Sequence, residues 1–300
     1  MASLSGDPNT PFLVSEHSIQ GRRPHQEDRV FSSYLSKTRG EAFASTAFGK
    51  RGYSRCSIFV VCDGHAGDKC AKFIVSHIED YVWQALQLAK FPTTDEQESE
   101  TLKVAMKSIL MGIPKRLDEE YLAVARKSRE KDGSCLLVCL MLDDNLFFIN
   151  VGDCRAVRIN GGNSVSQITR DHRPGLNKEE DQRIKDAGGG ISDGRGEKRV
   201  LARGMRMAIS RAIGDRLLKG VNNKHDIISN EPDLFYVKIT GDLKYVCLVS
   251  DGVTSRCSNK KILEVLRKRA GSNPAKALVE WAYNNGSMDN ISALVLQFKK

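Results

Sequence analysis

Five short, nearly continuous apolar runs constrain this chain more than any other feature: 57–62, 135–142, 145–151, 244–250 and 291–298. Val, Ile, Phe and Leu dominate them, and turn residues bound them. A run of about four to eight such residues predicts a strand buried on both faces. Between the runs lie segments with helical spacing, Phe73, Ile74, Ile78, Tyr81, Val82 and Ala85, then Leu102, Ala105, Met106, Ile109 and Ile113. Each places one apolar stripe along a helix. Asn273 before Pro274 predicts the cap and first residue of a further helix, with Gly286 as its stop. Polar, glycine-rich stretches at 36–52 and 188–203 predict surface loops, and 90–99 a connector between two helices. With 300 residues, 40% of them hydrophobic, the chain can bury a sizeable core. An α+β domain is the expected fold class.

The runs share a second property. Three of them lead into an aspartate, Asp63, Asp153 and Asp251; Asp289 opens the last, and Glu27 and Asp28 precede the apolar pair Val30-Phe31. One aspartate at a strand end is an ordinary turn residue. Repetition at the same structural place is different, because the strand ends of one sheet can converge on one cleft. Two carboxylates about 4 Å apart, at an effective dielectric near 20, repel by on the order of 4 kcal/mol. A converging set therefore calls for cations. Oxygen ligands without His or Cys favour Mg²⁺ or Mn²⁺ over Zn²⁺ or Cu²⁺.

Composition narrows the remaining classes. The longest purely apolar run, 136–142, is far short of the roughly 18 residues of a membrane-spanning helix, so no membrane span is expected. Residues 1–10 lack the basic start and apolar stretch of a secretory signal. None of the eight cysteines forms a Cys-x-x-Cys pair, and six lie in or beside apolar stretches, where a thiol acts as a small hydrophobe. A cytoplasmic or nuclear setting is expected. The net charge of +9 attracts anions in general. The basic residues are spread out, however, concentrating only mildly over 195–216 without a zinc-finger, basic-zipper or RNA-recognition signature, so no nucleic-acid partner is expected.

Seven segments in order carry a resemblance. They are Gly21-Arg22-Arg23-Pro24-His25-Gln26-Glu27-Asp28, Val61-Cys62-Asp63-Gly64-His65-Ala66-Gly67, Asn150-Val151-Gly152-Asp153-Cys154-Arg155, Asp171-His172-Arg173-Pro174, the stretch 207–215, Ser250-Asp251-Gly252 and Met288-Asp289-Asn290. The set resembles the metal-dependent PPM family, also called PP2C phosphatases. The resemblance implies a PP2C-like α-β-β-α sandwich, two antiparallel sheets flanked by helices. One such domain would span 1–300, with a variable surface loop near 36–52 and a flap-like segment near 188–220. It implies a monomeric protein serine/threonine phosphatase that acts on phosphorylated proteins and uses two Mg²⁺ or Mn²⁺ ions, with a third, weaker one.

The same resemblance implies roles. Asp63 would bridge two metals, the backbone carbonyl of Gly64 would hold one, and Asp251 and Asp289 the other. Glu27 and Asp28 would hold metal-bound waters, and Asp153 matches the place of the third metal. Arg23 matches the phosphate-binding arginine, whose planar fork suits phosphate oxygens; spacing alone leaves Arg22 as an alternative. His65 matches a general acid, although a histidine in a glycine turn is more often structural. Two cations about 3.5 to 4 Å apart would turn a bridging water into hydroxide aimed at phosphorus, without a phosphoenzyme. Absence of Cys-x₅-Arg and of Asp-x-Asp argues against thiolate and aspartyl-phosphate chemistry. Substrate choice is expected in loops around the cleft, above all in the basic segment 195–219.

Two departures stand out. Ser255 occupies the place where the family often carries a second acid, four residues after the strand-end aspartate, and Gly133-Ser134-Cys135-Leu136 replaces the more usual Gly-Ser-Thr-Ala.

Overall fold

The computed structural model describes residues 10–91, 98–192, 196–220, 226–269 and 273–299. Two five-stranded antiparallel sheets use ten strands. In chain order these are β1 (Phe12–Ile19), β2 (Arg29–Ser33), β3 (Cys56–Cys62), β4 (Leu136–Leu142), β5 (Asn145–Val151), β6 (Arg155–Asn160), β7 (Val165–Gln167), β8 (Asp233–Lys238), β9 (Leu243–Val249) and β10 (Ile291–Phe298). One sheet runs β1-β10-β9-β6-β7 and the other β8-β5-β4-β3-β2. The five expected strands are all present, two with the expected bounds and three shifted by one residue.

Strand β3 shows why its run is continuously apolar. Side chains alternate across a strand: Phe59 and Val61 enter the core between the sheets with Phe148, Leu294 and Leu296. Ile58, Val60 and Cys62 face the other way, into a core with Ile74 and Ile78 of helix Lys69–Leu88 and with Leu117 and Tyr121 of helix Gly112–Ser128. The first sheet is covered in the same manner by helices Asn259–Arg269 and Pro274–Asn284, through Ile262, Leu278 and Ala282 against Val249 and Val295. The cap works as expected. Asn273 Oδ1 accepts the Lys276 N–H at 2.8 Å, Pro274 opens the helix, and Gly286 follows its end at φ +88°. All eight cysteines are buried free thiols.

Three expectations are corrected. The segment 36–52 is not a loop: it forms helical turns at Leu35–Thr38, Gly40–Ala44 and Gly49–Arg51, and buries Phe43 and Phe48. Two phenylalanines carry too much apolar surface to leave in water, and Phe48 meets Phe91 edge-on at 5.0 Å. Ile113 does not continue the stripe from Leu102. The helix Glu98–Leu110 ends, and Ile113 starts a separate buried stripe with Leu117 and Tyr121 on the next helix. The segment 188–203 is partly stranded: Gly190–Ile191, Val200–Ala202 and Met205–Met207 pair into an antiparallel ribbon. Residues 92–97 of the expected connector lie outside the described residues.

Helix Lys178–Asp186 leads into that ribbon, and its buried Glu180 anchors it. Arg211 and Arg183 donate to the Glu180 carboxylate at 2.7 and 2.8 Å, and Ser210 Oγ donates at 2.8 Å. Burial alone would raise this carboxyl, but the Arg211 and Arg183 hydrogen bonds hold it down at about 2. A depressed carboxyl stabilises the fold above its unfolded pKa and ceases to do so as pH falls through its folded value. From 4.5 to about 2, at about 1.4 kcal/mol per unit, this contributes about 3 kcal/mol. Glu180→Gln is therefore expected to lose about 3 kcal/mol in urea unfolding at pH 7. The gap from the parent should shrink towards pH 2.5; an equal gap at both pH values would show that charge is not its cause.

Candidate active site and metal cradle

The strand ends converge as the aspartate pattern predicts. A cleft of about 280 Å³ is lined by Arg23, Glu27, Asp63, Gly64, His65, Asp153, Asp251 and Asp289. One carboxylate oxygen each from Asp63, Asp153 and Asp251 lies within 4.8 Å of the others. Asp63 follows β3, Asp153 follows β5, and Asp251 is the first residue of a helical turn after β9. The Asp251 N–H donates to Asp63 Oδ2 at 3.4 Å, which fixes their approach.

Two glycines permit the crowding. A Cβ on Gly64 would lie 2.6 Å from the Glu27 carbonyl oxygen, and one on Gly252 would lie 1.9 Å from that of Asn290. Asn290 then ties the two acidic loops together. Its Oδ1 accepts the Glu27 N–H at 2.8 Å, while its Nδ2 donates to the carbonyls of Gln20 and His25 at 2.7 and 2.8 Å.

The electrostatics record an unmet demand for positive charge. Burial, then the charges of Asp28 and Asp251, push the Asp63 carboxyl well above the usual range. Burial, then Asp153 and Asp289, raise Asp251 to about 7. Asp28 is buried beside the cleft and is not part of its lining. Burial raises it to about 7 against the hydrogen bonds from Ser292 and Ser250. Ser292 Oγ donates to Asp28 Oδ2 at 2.7 Å, whereas Asp28 Oδ1 is buried without a partner. Crowded carboxylates, a backbone carbonyl and an orphaned carboxylate oxygen fit a hard divalent cation.

The structure separates the two arginines. Arg23 lines the cleft and donates to Asp289 Oδ2 at 2.7 Å, with about half its side chain exposed. Arg22 turns away, over the Tyr283 ring at 5.2 Å and towards Met288 Sδ at 3.5 Å. His65 Nε2 donates to buried Asp215 at 2.9 Å. Burial would lower this imidazole, but the Asp215 carboxylate outweighs it and raises the pKa. A Cβ on Gly133 would lie 2.5 Å from Asp215 Oδ2 and 2.7 Å from His65 Nε2, so glycine there keeps the pair together.

Sequence reasoning missed three groups at the site. Asp215 holds His65, Cys135 Sγ donates to Asp153 Oδ1 at 3.3 Å, and Arg173 bridges Asp153 and Asp251 at 2.8 and 3.1 Å, while Arg206, within the expected basic segment, lines the cleft. Arg173 and Asp215 both sit in segments that carried the family resemblance, which was the available signal. Of the basic positions in 195–219, Arg199 lines the cleft, Lys198 lines an adjoining cavity, Arg203 donates to the Leu217 carbonyl, and Arg195 lies outside the described residues. Ser255 Oγ donates to the Gly252 carbonyl at 3.1 Å and supplies no acid.

An antiparallel sandwich with this carboxylate cleft, and an arginine fork beside it, defines a metal-dependent hydrolase of an anionic substrate. The chain belongs to the protein phosphatase 2C family, whose profile matches residues 13–291. It is 31% identical over 295 residues to Protein phosphatase 1L of Bos taurus, covering 95% of this chain and 72% of the relative. It is 33% identical over 291 residues to Probable protein phosphatase 2C 45 of Oryza sativa subsp. japonica, covering 97% and 89%. Among solved structures, the fold is similar to a serine-threonine phosphatase 2C from Toxoplasma gondii, with TM-score 0.80 and 22% identity over 100% and 99% of the two chains. A C. elegans sex determining protein has TM-score 0.76 and 23% identity over 96% of this chain and 65% of its own. This chain is a metal-dependent protein serine/threonine phosphatase, and its substrates are phosphorylated proteins. Among the described residues, no helix is long and apolar enough to cross a membrane.

Proposed function

We propose that Asp63, the Gly64 carbonyl, Asp251 and Asp289 hold two Mg²⁺ or Mn²⁺ ions, that Glu27 and Asp28 orient their waters, and that Asp153 takes a third, weaker ion. The supporting observation is the approach of Asp63, Asp153 and Asp251 oxygens to within 4.8 Å. When bound, such ions activate water and neutralise charge on phosphate oxygens. Arg23 is exposed enough to turn its fork from Asp289 to the phosphate, and its planar donors match phosphate geometry. Asp215 raises the His65 imidazole and so favours its protonated form, which suits it to deliver a proton to the departing serine or threonine oxygen. Because Nε2 is engaged by Asp215, the proton would leave from Nδ1, and the remaining Nε2–H hydrogen bond to the Asp215 carboxylate holds the ring.

Phosphopeptide hydrolysis tests the reading. Phosphate release should require added Mg²⁺ or Mn²⁺, stop with a chelator and return when the ion is restored. Absence of release with saturating Mn²⁺ would overturn it.

Substrate choice is assigned to the basic side of the cleft, where Arg199 and Arg206 face the cradle. Replacing both by Ala is expected to lower kcat/KM for phosphopeptides about tenfold or more, the loss of two charge-assisted contacts. A small aryl phosphate, which has no peptide to contact them, should be affected less. An unchanged ratio between the two substrates would end this assignment.

A further inference from the structure

Arg173 is a cation that stands between two of the cradle carboxylates. It precedes Pro174, which disfavours a helical backbone at this position. Its neighbour pins it beside the Asp153 turn: the His172 N–H donates to the Gly152 carbonyl and the Gly152 N–H to His172 Nδ1, both at 3.0 Å. The guanidinium then spans three acids. Nε donates to Asp153 Oδ2 at 2.8 Å, Nη2 to Asp251 Oδ2 at 3.1 Å and Nη1 to Glu197 Oε1 at 2.9 Å. Asp153 is buried in the cradle, while Glu197 is 63% exposed and belongs to the segment that carries the ribbon.

We propose that Arg173 is a positioning residue that serves as an internal counter-cation, holding Asp153 and Asp251 together without metal, competing with the ion that Asp153 binds, and passing to Glu197 when that ion arrives. The proposal rests on the reading that divalent ions occupy the cradle.

The competition follows from shared atoms. An ion held between Asp153 and Asp251 would compete with the Arg173 fork for the same two carboxylates, since the fork already engages one oxygen of each. Glu197 gives the displaced fork a paired alternative. Occupancy at Asp153 is thereby coupled to the segment 196–207, which also brings Arg199 and Arg206 to the cleft.

The test is a Mn²⁺ titration in which free Mn²⁺ is followed by electron paramagnetic resonance, beside thermal melts in chelator and in saturating Mn²⁺. Arg173→Ala is expected to tighten the weakest-binding ion about tenfold, the lower end of what groups around metal ligands exert. Its melting temperature should fall in chelator and be largely restored by Mn²⁺. Arg173→Lys, a point charge without the fork, should lie between the two. Glu197→Gln, which removes the alternative partner, should weaken the same ion severalfold. Its opposite sign keeps the idea falsifiable if Arg173→Ala fails to fold. Equal or weaker Mn²⁺ binding by Arg173→Ala, or an equal fall in melting temperature with and without Mn²⁺, would overturn the proposal. A parent that binds Mn²⁺ and releases phosphate alongside an unaltered Arg173→Ala removes this role alone. A parent that does neither removes the metal reading as well.

Discussion

Asp63→Asn is expected to lose at least about two orders of magnitude in Mn²⁺-dependent phosphopeptide hydrolysis, while its metal-free form melts no lower than the parent. Both halves have one cause. The Asp63 oxygen lies within 4.8 Å of those of Asp153 and Asp251, and its carboxyl is pushed well up by burial and by the charges of Asp28 and Asp251. An amide of the same shape removes a negative charge that the empty cradle resists. The same change removes a ligand from an ion-filled cradle. Partners one layer outside a metal are worth about 10- to 100-fold, so the loss of a direct ligand should exceed that range. Phosphate release in Mn²⁺ and thermal melts in chelator check the two halves separately. Activity within tenfold of the parent would show that Asp63 is not a ligand, and a lower metal-free melting temperature would show that its carboxylate does structural work instead.

What was legible in the sequence was whatever burial writes into a continuous pattern. Strands β3, β4, β5, β9 and β10 have both faces covered, so each appears as an apolar run, and the acids at their ends could be counted directly. Strand β1 was not read: its inward Phe12 and Val14 alternate with partly exposed positions, and Glu16 and His17 break the pattern. Helix Gly112–Ser128 hid Leu117 and Tyr121 among charged residues, so that Ile113 joined the stripe of the helix before it. Pairing between distant loops left no local mark. Arg173 reaches Asp251 across 78 positions and His65 reaches Asp215 across 150, and neither spacing carries a period. The choice between Arg22 and Arg23 likewise depended on Tyr283 and Met288, which draw Arg22 out of the cleft.

The metal-free protein should lose stability as pH rises, contrary to the usual behaviour of a carboxylate that is paired in the fold. Asp28 and Asp251 have folded values of about 7 against ordinary values of 3.8. A group whose pKa is raised by folding contributes stability that is fully present below 3.8 and is lost as pH climbs through about 7. The difference, 7 − 3.8 = 3.2 units, corresponds to on the order of 4 kcal/mol for one proton at about 1.4 kcal/mol per unit. The charge of Asp28 acts on Asp251, so their effects do not simply double. His65 acts in the same sense, because Asp215 raises it. Divalent ions reverse the trend, since they bind the deprotonated carboxylates and displace protons. Melting in chelator is therefore expected to fall by about 10 °C between pH 5 and pH 8. Melting in saturating Mg²⁺ should hold level or rise, so that the gap between the two curves widens with pH. If the chelated protein were as stable at pH 8 as at pH 5, the carboxylates would not be crowded in solution, and the cradle would form only around its ions.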